Sequence, residues 1–309
     1  MSDHIPLVSA CLLTYKRANV LPRTIDDILS QTFGDFELVI NDDRSPDHTE
    51  EVCRSYAARD PRIRYFRNDT NLRYAGNQNA AVARARGKYV AFLHDGDRYS
   101  PRLLQEWTAA LEAHPSAGLV FNAVNVLGRD GEVAGGFDHG YSIRTPGRQL
   151  YDEMLGRLDS PIFGIVMARR QALLDAGPFD TSLPVLADID MWFRLLRHHD
   201  VCYVAERLYS IYPREEDHPN AYVNWRIRDE LAHIYRRACS GRFPAGSREW
   251  RATRRRVDLN LLRTDCRLLA SCLVRRRWKL AAQGVSATAR RLFHSLAAHV
   301  ARRPSHDEA

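Results

Sequence analysis

Two carboxylates one residue apart, Asp95 and Asp97, flank a glycine in the run His94-Asp95-Gly96-Asp97-Arg98-Tyr99-Ser100-Pro101. On a loop bent at Gly96 both can face one cation. Mg²⁺ and Mn²⁺ take oxygen ligands, commonly one or two carboxylates completed by substrate phosphates. A second pair, Asp42 and Asp43, is adjacent in Asn41-Asp42-Asp43-Arg44-Ser45. Neighbouring carboxylates repel unless something compensates them, and a pyrimidine imide N–H or ribose hydroxyls could. Thr14-Tyr15-Lys16-Arg17 offers an aromatic face that can stack on a base. Asp188 heads the stretch Asp188-Ile189-Asp190-Met191-Trp192-Phe193-Arg194-Leu195-Leu196-Arg197. A half-buried carboxylate in a cleft can take the proton of an attacking hydroxyl. Each cluster also has a plainer reading. Asp95 and Asp97 alone describe a solvated turn. Asp43, Ser45 and Asp47 describe a capping group before a helix, and Asp188 an N-cap worth about 1 kcal/mol.

The elements around these clusters narrow the choice. Apolar runs predict strands at 7–13, 37–40, 63–66 and 89–93. Helical spacing predicts helices at 20–31, 49–58 and 76–85, and Pro101 opens another that runs to about 113. Strands alternating with helices imply parallel strands joined by right-handed crossovers. Ligands in such sheets sit at the carboxyl ends of the strands. The loops after Leu13, Ile40, Phe66 and Leu93 are therefore the ones to watch, and the acidic clusters fall on them. Further on, 118–127 reads as a strand followed by a hairpin turn at 128–136. Residues 151–158 and 170–176 read as short helices around an extended segment at 162–168. A helix at 188–199 precedes a strand at 201–204, and the pattern is helical from about 221. The fold class is α/β, with a helical C-terminal extension.

Composition bounds the rest. The chain has 309 residues, 45% of them apolar, enough to bury a sizeable core. Its net charge of +7 divides unevenly: residues 1–225 are net acidic and residues 226–309 strongly basic. Only three of the 45 basic residues are Lys, so the arginine bias is chain-wide and the basic runs of the tail are to be discounted accordingly. The six cysteines form no Cys-x-x-Cys pair and no zinc spacing. No apolar run approaches the roughly 20 residues of a membrane span, and residues 1–6 carry no secretory pattern. The expectation is a cytoplasmic protein with reduced, buried thiols.

Taken in order, these segments resemble glycosyltransferase family 2, with the GT-A fold. The resemblance rests on Val8-Ser9-Ala10-Cys11-Leu12-Leu13-Thr14-Tyr15, Ser30-Gln31-Thr32-Phe33, Phe36 to Asp43, Asn79, Ala85 to Leu93, Gly177-Pro178-Phe179-Asp180 and the run from Asp188 to Arg197. It covers about residues 6–213. It implies a GT-A, Rossmann-like mixed sheet flanked by helices, with residues 1–220 as the nucleotide-sugar-binding catalytic domain. It also implies roles. Thr14 and Tyr15 hold the nucleoside, Asp43 binds the base with Asp42 beside it, and Asp95 and Asp97 lie in the metal and diphosphate loop. Asp188 is the general base of an inverting direct displacement. His218 falls where relatives carry a histidine near the metal, its other reading being a solvated loop residue, and Arg73 could reach base or phosphate. The implied cofactor is Mn²⁺ or Mg²⁺, and the implied partners are a nucleotide-sugar donor, UDP before others, and a glycan, lipid-linked or small-molecule acceptor.

The chain departs from the family at two places. The usual loop is Asp-x-Asp-Asp, and Gly96 stands where the third position is acidic. Ala187 stands where Glu often precedes the base. The Gln-x-x-Arg-Trp motif of processive synthases is absent, which argues for single transfers. Two other readings stay open: a non-catalytic, scaffolding member of the family, and a nucleotidyltransferase making nucleotide sugars. The latter would want a glycine-rich loop where Thr14-Tyr15-Lys16-Arg17 stands.

Residues 221–309 form the basic extension. Arg254 to Arg256, Arg275 to Arg277 and Arg290-Arg291 punctuate helices with apolar stripes, at Leu259, Leu262, Cys266, Leu269 and Leu273, then Val285, Leu292, Phe293, Leu296 and Val300. The stripes suit packing on the catalytic domain or on a second copy in a homodimer. They also suit peripheral contact with the anionic inner face of a membrane, near a lipid-linked acceptor. No interleaved aromatics accompany the charge, so no nucleic-acid partner is expected.

Overall fold

The computed structural model describes residues 4–212, 225–274, 282–285 and 288–289. The chain separates into two compact units, Met1–Met154 with Ser160–Arg214, and Leu155–Asp159 with Glu215–Ala309.

The first unit opens with β1 (Val8–Thr14), α1 (Leu21–Leu29), β2 (Phe36–Asp42), α2 (Thr49–Ala57), β3 (Ile63–Arg67), α3 (Arg73–Arg84) and β4 (Tyr89–His94). Every residue of β1 and β2 is buried, as both faces of a parallel sheet are covered by its crossover helices. β1 pairs in parallel with β2 (Thr14 opposite Asp42) and with β4 (Leu13 opposite His94), and β2 pairs in parallel with β3 (Asp42 opposite Arg67). Four strands therefore end together on one rim. Helix α3 starts at Arg73, three residues before the predicted start.

The chain continues through β5 (Arg98–Tyr99), α4 (Leu103–Ala113), β6 (Ala117–Leu127), β7 (Val133–Phe137), β8 (Arg144–Thr145), α5 (Gly147–Arg157), β9 (Val166–Arg169), α6 (Arg170–Ala176), α7 (Ala187–Leu195) and β10 (Asp200–Ile211). The sheet order is β3-β2-β1-β4-β9-β6-β10-β5, with β7 on β6 and β8 on β10. Strand β9 runs antiparallel between β4 and β6 and makes the sheet mixed. Pro101 and Arg102 form the turn before α4 rather than its first residues, and the expected strand at 201–204 extends to twelve residues. Trp107 of α4 is fully buried against the sheet, and its indole N–H donates to Asn122 Oδ1 at 3.0 Å. At the opposite, amino edge of the sheet, Glu37 takes Ser9 Oγ, Arg64 and Arg86.

In the second unit, α8 (Trp225–Arg242) and α9 (Arg248–Val274) run antiparallel, because Arg228 pairs with Asp265 and Arg236 with Asp258. The buried positions of α9 are Val257, Leu261, Asp265 and Cys272. The stripe expected from sequence is therefore displaced: Leu259 and Cys266 are exposed. A charged residue, Asp265, sits in the seam because Arg228 neutralises it, and that breaks the apolar period. Arg254 also turns inward, to Asp258. Of the expected buried thiols, Cys266 is the exception. Leu292, Phe293, Leu296, Val300 and the arginines at 275–277 and 290–291 lie outside the described residues. Among the described residues no helix is long and apolar enough to cross a membrane.

Candidate active site

The loop after β1 is stitched to the loop after β2. The Lys16 N–H donates to Ser45 Oγ at 2.9 Å, Arg17 N–H to Thr49 Oγ1 at 3.2 Å and Ala18 N–H to Asp47 Oδ2 at 3.3 Å. The Asp43 N–H donates to the Thr14 carbonyl at 3.0 Å. Lys16, Arg44 and Arg73, one at each of three successive loops of this rim, hold left-handed backbone with φ of 58°, 60° and 61°. Such non-glycine conformations cost on the order of 1–2 kcal/mol each and concentrate at functional loops.

The two adjacent carboxylates diverge, as side chains do on a pleated strand. Asp42 is fully buried. Its Oδ1 accepts the Ser45 N–H at 2.8 Å, its Oδ2 accepts the Tyr65 hydroxyl at 2.9 Å, and Arg67 Nε stands 3.5 Å away. Asp43 instead ties the loop after β2 to the loop after β3. Its Oδ1 accepts Asn68 Nδ2 at 2.9 Å and the Leu72 N–H at 2.7 Å. Among the described residues no donor falls on Asp43 Oδ2. Tyr15 is exposed, with its ring at this rim, and Arg73 heads α3 as an exposed cation.

The loop after β4 closes on the same place. Asp95 Oδ2 accepts the Tyr15 N–H at 3.3 Å, and Arg17 Nε lies 3.5 Å from its Oδ1. Burial raises the Asp95 carboxyl above its ordinary range, against the opposing pull of the Thr14 hydroxyl, Arg17 and the Tyr15 N–H. Gly96 has φ 90°, which explains the glycine. Its N–H donates to Thr24 Oγ1 at 3.1 Å, and Arg23 reaches its carbonyl at 3.4 Å. Asp97 lies 3.9 Å from His94 Nδ1, whose Nε2 meets the Tyr74 hydroxyl at 3.0 Å. Arg23, Asn68 and Tyr74 were missed in the sequence because none lies within an acidic cluster.

No group of three His, Cys, Asp or Glu side chains among the described residues could hold a metal by protein ligands alone. A divalent ion completed by phosphate oxygens needs only one or two carboxylates, and the Asp95–Asp97 loop fits that requirement. His218 lies outside the described residues.

The last candidate, Asp188, is carried by α7. Asn79 of α3 pins the segment before it, through hydrogen bonds to the Phe179 N–H at 2.7 Å and carbonyl at 3.0 Å. Phe179 packs edge-on against Phe92 and Trp192. Arg194 pairs with Asp190 and takes the carbonyls of Ala176, Gly177 and Pro178. The foot of α7 is at the amino edge, where the Asp200 N–H meets the Ser116 carbonyl and β10 begins. Its first turn therefore points to the carboxyl side of the sheet, the side of Asp43 and Asp97. Asp188 is half-buried and lies one residue inside the helix rather than at its N-cap, and its Oδ1 accepts the Ile189 N–H at 2.8 Å. Ala187 is fully buried, so a Glu carboxylate at this position would have to be desolvated.

Residues 9–175 match the profile of Glycosyl transferase family 2. An uncharacterized Mycobacterium tuberculosis protein, MT1568, is 33% identical over 216 residues, 66% of each chain. The chain thus spans about two thirds of that relative's length. Among solved structures, S. aureus TarS 1-349 in complex with UDP-GlcNAc superposes with a TM-score of 0.59 at 17% identity, over 83% of this chain and 70% of that one. The mannosyltransferase PcManGT from Pyrobaculum calidifontis, in complex with GDP-Man and Mn²⁺, superposes with a TM-score of 0.58 at 17% identity, over 93% of this chain and 87% of that one.

Proposed function

The chain belongs to glycosyl transferase family 2 and has the GT-A fold, and from that premise we propose that it moves a sugar from a nucleoside diphosphate donor to an acceptor hydroxyl, inverting the anomeric centre in one displacement. The observation that carries this reading is the double closure of the loop after β1, which meets Asp43 through the Thr14 carbonyl and Asp95 through the Tyr15 N–H. Base, ribose and diphosphate could then be gripped from one place.

In this reading Tyr15 stacks on the base and Asp43 Oδ2 accepts an imide N–H. Such a donor exists on uracil, thymine and guanine but not on cytosine or adenine. Asp42, whose oxygens serve Ser45 and Tyr65, supports the loop from behind. Arg73, exposed at the head of α3, would reach base or phosphate, and Lys16 Nζ lies over the Tyr15 ring at 5.4 Å. Asp95, beside Arg17, and Asp97, beside His94, are the carboxylates that would hold Mn²⁺ or Mg²⁺. When bound, the ion would neutralise charge on the departing diphosphate. Asp188 takes the acceptor hydroxyl proton as that oxygen bonds to the anomeric carbon, and the bond from that carbon to the diphosphate oxygen breaks. Calorimetric titration with UDP, with and without Mn²⁺, tests this together with an assay of slow donor hydrolysis. Metal-dependent binding with turnover is expected; a silent titration would favour a non-catalytic member.

For the second unit we propose contact with an anionic bilayer. The exposed side of α9 combines Leu259 with Arg255, Arg263 and Arg267, a basic, partly apolar face.

A further inference from the structure

Strand β6 carries two partners on one edge. Strand β9 pairs at Leu119 and Val120, and β7 pairs from Val124 to Leu127. By register, Val120 lies level with Ala91 of β4, since both face Met167. The junction where β9 gives way to β7 is therefore level with the end of β4, where the Asp95–Asp97 loop begins. Aromatic rings gather at this junction. Phe137 meets Phe163 with centroids 5.8 Å apart, and His139 stacks on Tyr141 at 5.9 Å and 28°. Phe121 and the buried Tyr203 lie beneath, 5.0 Å apart.

We propose that this shelf is an acceptor subsite that takes a neutral sugar ring, laid by its C–H face on Phe137. The inference rests on the glycosyl-transfer reading and names the class of acceptor. Three observations support it. First, Phe137 is buttressed by Phe163 yet 45% exposed, and the residues before it, Ala134, Gly135 and Gly136, are exposed and nearly free of side chains. Gly136 must stay small, since a Cβ there would collide with the Val124 carbonyl and stand 3.2 Å from Nε of Arg207, whose guanidinium borders the floor. The result is a flat floor ending in an open ring.

Second, the polar group at its edge suits hydroxyls. Asp138 Oδ1 accepts the Tyr203 hydroxyl at 2.6 Å and the Gly140 N–H at 3.0 Å, bonds that hold its carboxyl below the ordinary range. Both fall on Oδ1, which leaves Oδ2 to accept from a sugar hydroxyl. Arg207 also acts on this carboxyl, so the edge pairs a charged acceptor with a cationic donor and carries no lone charge to select an ionised acceptor. A sugar is amphipathic in this same pattern, with an apolar C–H face and hydroxyls around its rim.

Third, the shelf adjoins the reaction loop. Gly164, next to Phe163, lies so close to Tyr74 and His94 that an added Cβ would sit 2.5 Å from the Tyr74 hydroxyl and 2.8 Å from His94 Cε1. A ring seated on Phe137 is thereby placed beside the segment proposed to hold the donor diphosphate. The competing occupant is an apolar chain, because Val133 and Ile143 are also exposed.

Saturation-transfer difference NMR on the full chain tests this. The probes are methyl β-glycosides of glucose, galactose and N-acetylglucosamine, with n-octanol in parallel. The expected result is saturation of C–H protons on one face of at least one glycoside. Phe137→Ala and Phe137→Leu should weaken that binding by about 3- to 10-fold, and Phe137→Trp should retain it. Calorimetry with UDP on the same samples separates the two levels of the argument. UDP binding without glycoside saturation overturns the subsite alone. Retention of glycoside binding by Phe137→Leu, or saturation of octanol instead of the sugars, overturns ring stacking in favour of an apolar chain. Absence of UDP binding by the unaltered protein defeats the transfer reading itself.

Discussion

Asp43→Asn isolates one oxygen. Asp43 is only 3% exposed, and both its internal hydrogen bonds fall on Oδ1, from Asn68 Nδ2 and the Leu72 N–H. An asparagine whose carbonyl oxygen occupies the Oδ1 position keeps both. What changes is Oδ2, from a charged acceptor to an N–H donor. If that oxygen receives the imide N–H of the base, the substitution removes a charge-assisted hydrogen bond worth about 1.5–3 kcal/mol. UDP should then bind about 10- to 140-fold more weakly by calorimetry. The new donor suits cytosine N3, so CDP should lose less than UDP or gain. The fold should survive, because converting two charge-assisted bonds to neutral ones costs about 1 kcal/mol, a fall of about 2–4 °C in Tm for a unit of this size. Unchanged UDP affinity, with CDP also unchanged, would show that Asp43 does no more than tie two loops together.

Three further outcomes follow from the same geometry. Asp188→Asn should lower the transfer rate by about 10²–10⁴-fold while UDP affinity stays within twofold, read by calorimetry beside a product assay; loss of UDP binding would make the residue structural. Asp95 is held above its ordinary value of 3.8 by burial, so the folded chain binds that proton more tightly than the unfolded chain. Its stabilising contribution is present below the ordinary value and is lost as pH rises through the raised one, so the Tm of Asp95→Asn should gain on the parent protein as pH rises from about 4 to 7; a pH-independent difference would contradict the burial argument. The full chain should float with vesicles containing anionic lipid and not with neutral ones, and Arg255, Arg263 and Arg267 changed together to Gln should abolish flotation; sedimentation of the unaltered protein with both kinds would rule out the bilayer contact.

Much of the sheet was legible because its signals are local. The apolar runs at 7–13 and 89–93 are strands buried on both faces, and the helices between them show clear periodicity. The acidic loops were legible because parallel pairing forces their strands to end together. Less legible were features decided at long range. Strand β9 reads only as an extended segment, and nothing local says that it inserts antiparallel between β4 and β6. Strands β5 and β8 are two residues each and take their conformation from β10. The buried seam of α9 was misplaced by one to two residues because Asp265, an acidic residue, occupies it in partnership with Arg228, 37 positions away. In the site, Asp42 and Asp43 look equivalent as letters. Only the pleat, with Tyr65 and Arg67 on one side and Asn68 and Leu72 on the other, assigns them different work.

The central claim is that acidic groups from three distant stretches serve one bound nucleotide. Paramagnetic broadening of backbone amide signals by Mn²⁺ in the presence of UDP tests it most directly. The account predicts that amides at 14–17, 43–45, 95–97 and 187–189 broaden together, while those at the amino edge, around Gly87 and Ala117, stay sharp. Broadening at 95–97 with signals at 187–189 untouched would place Asp188 away from the reaction and contradict the proposed displacement.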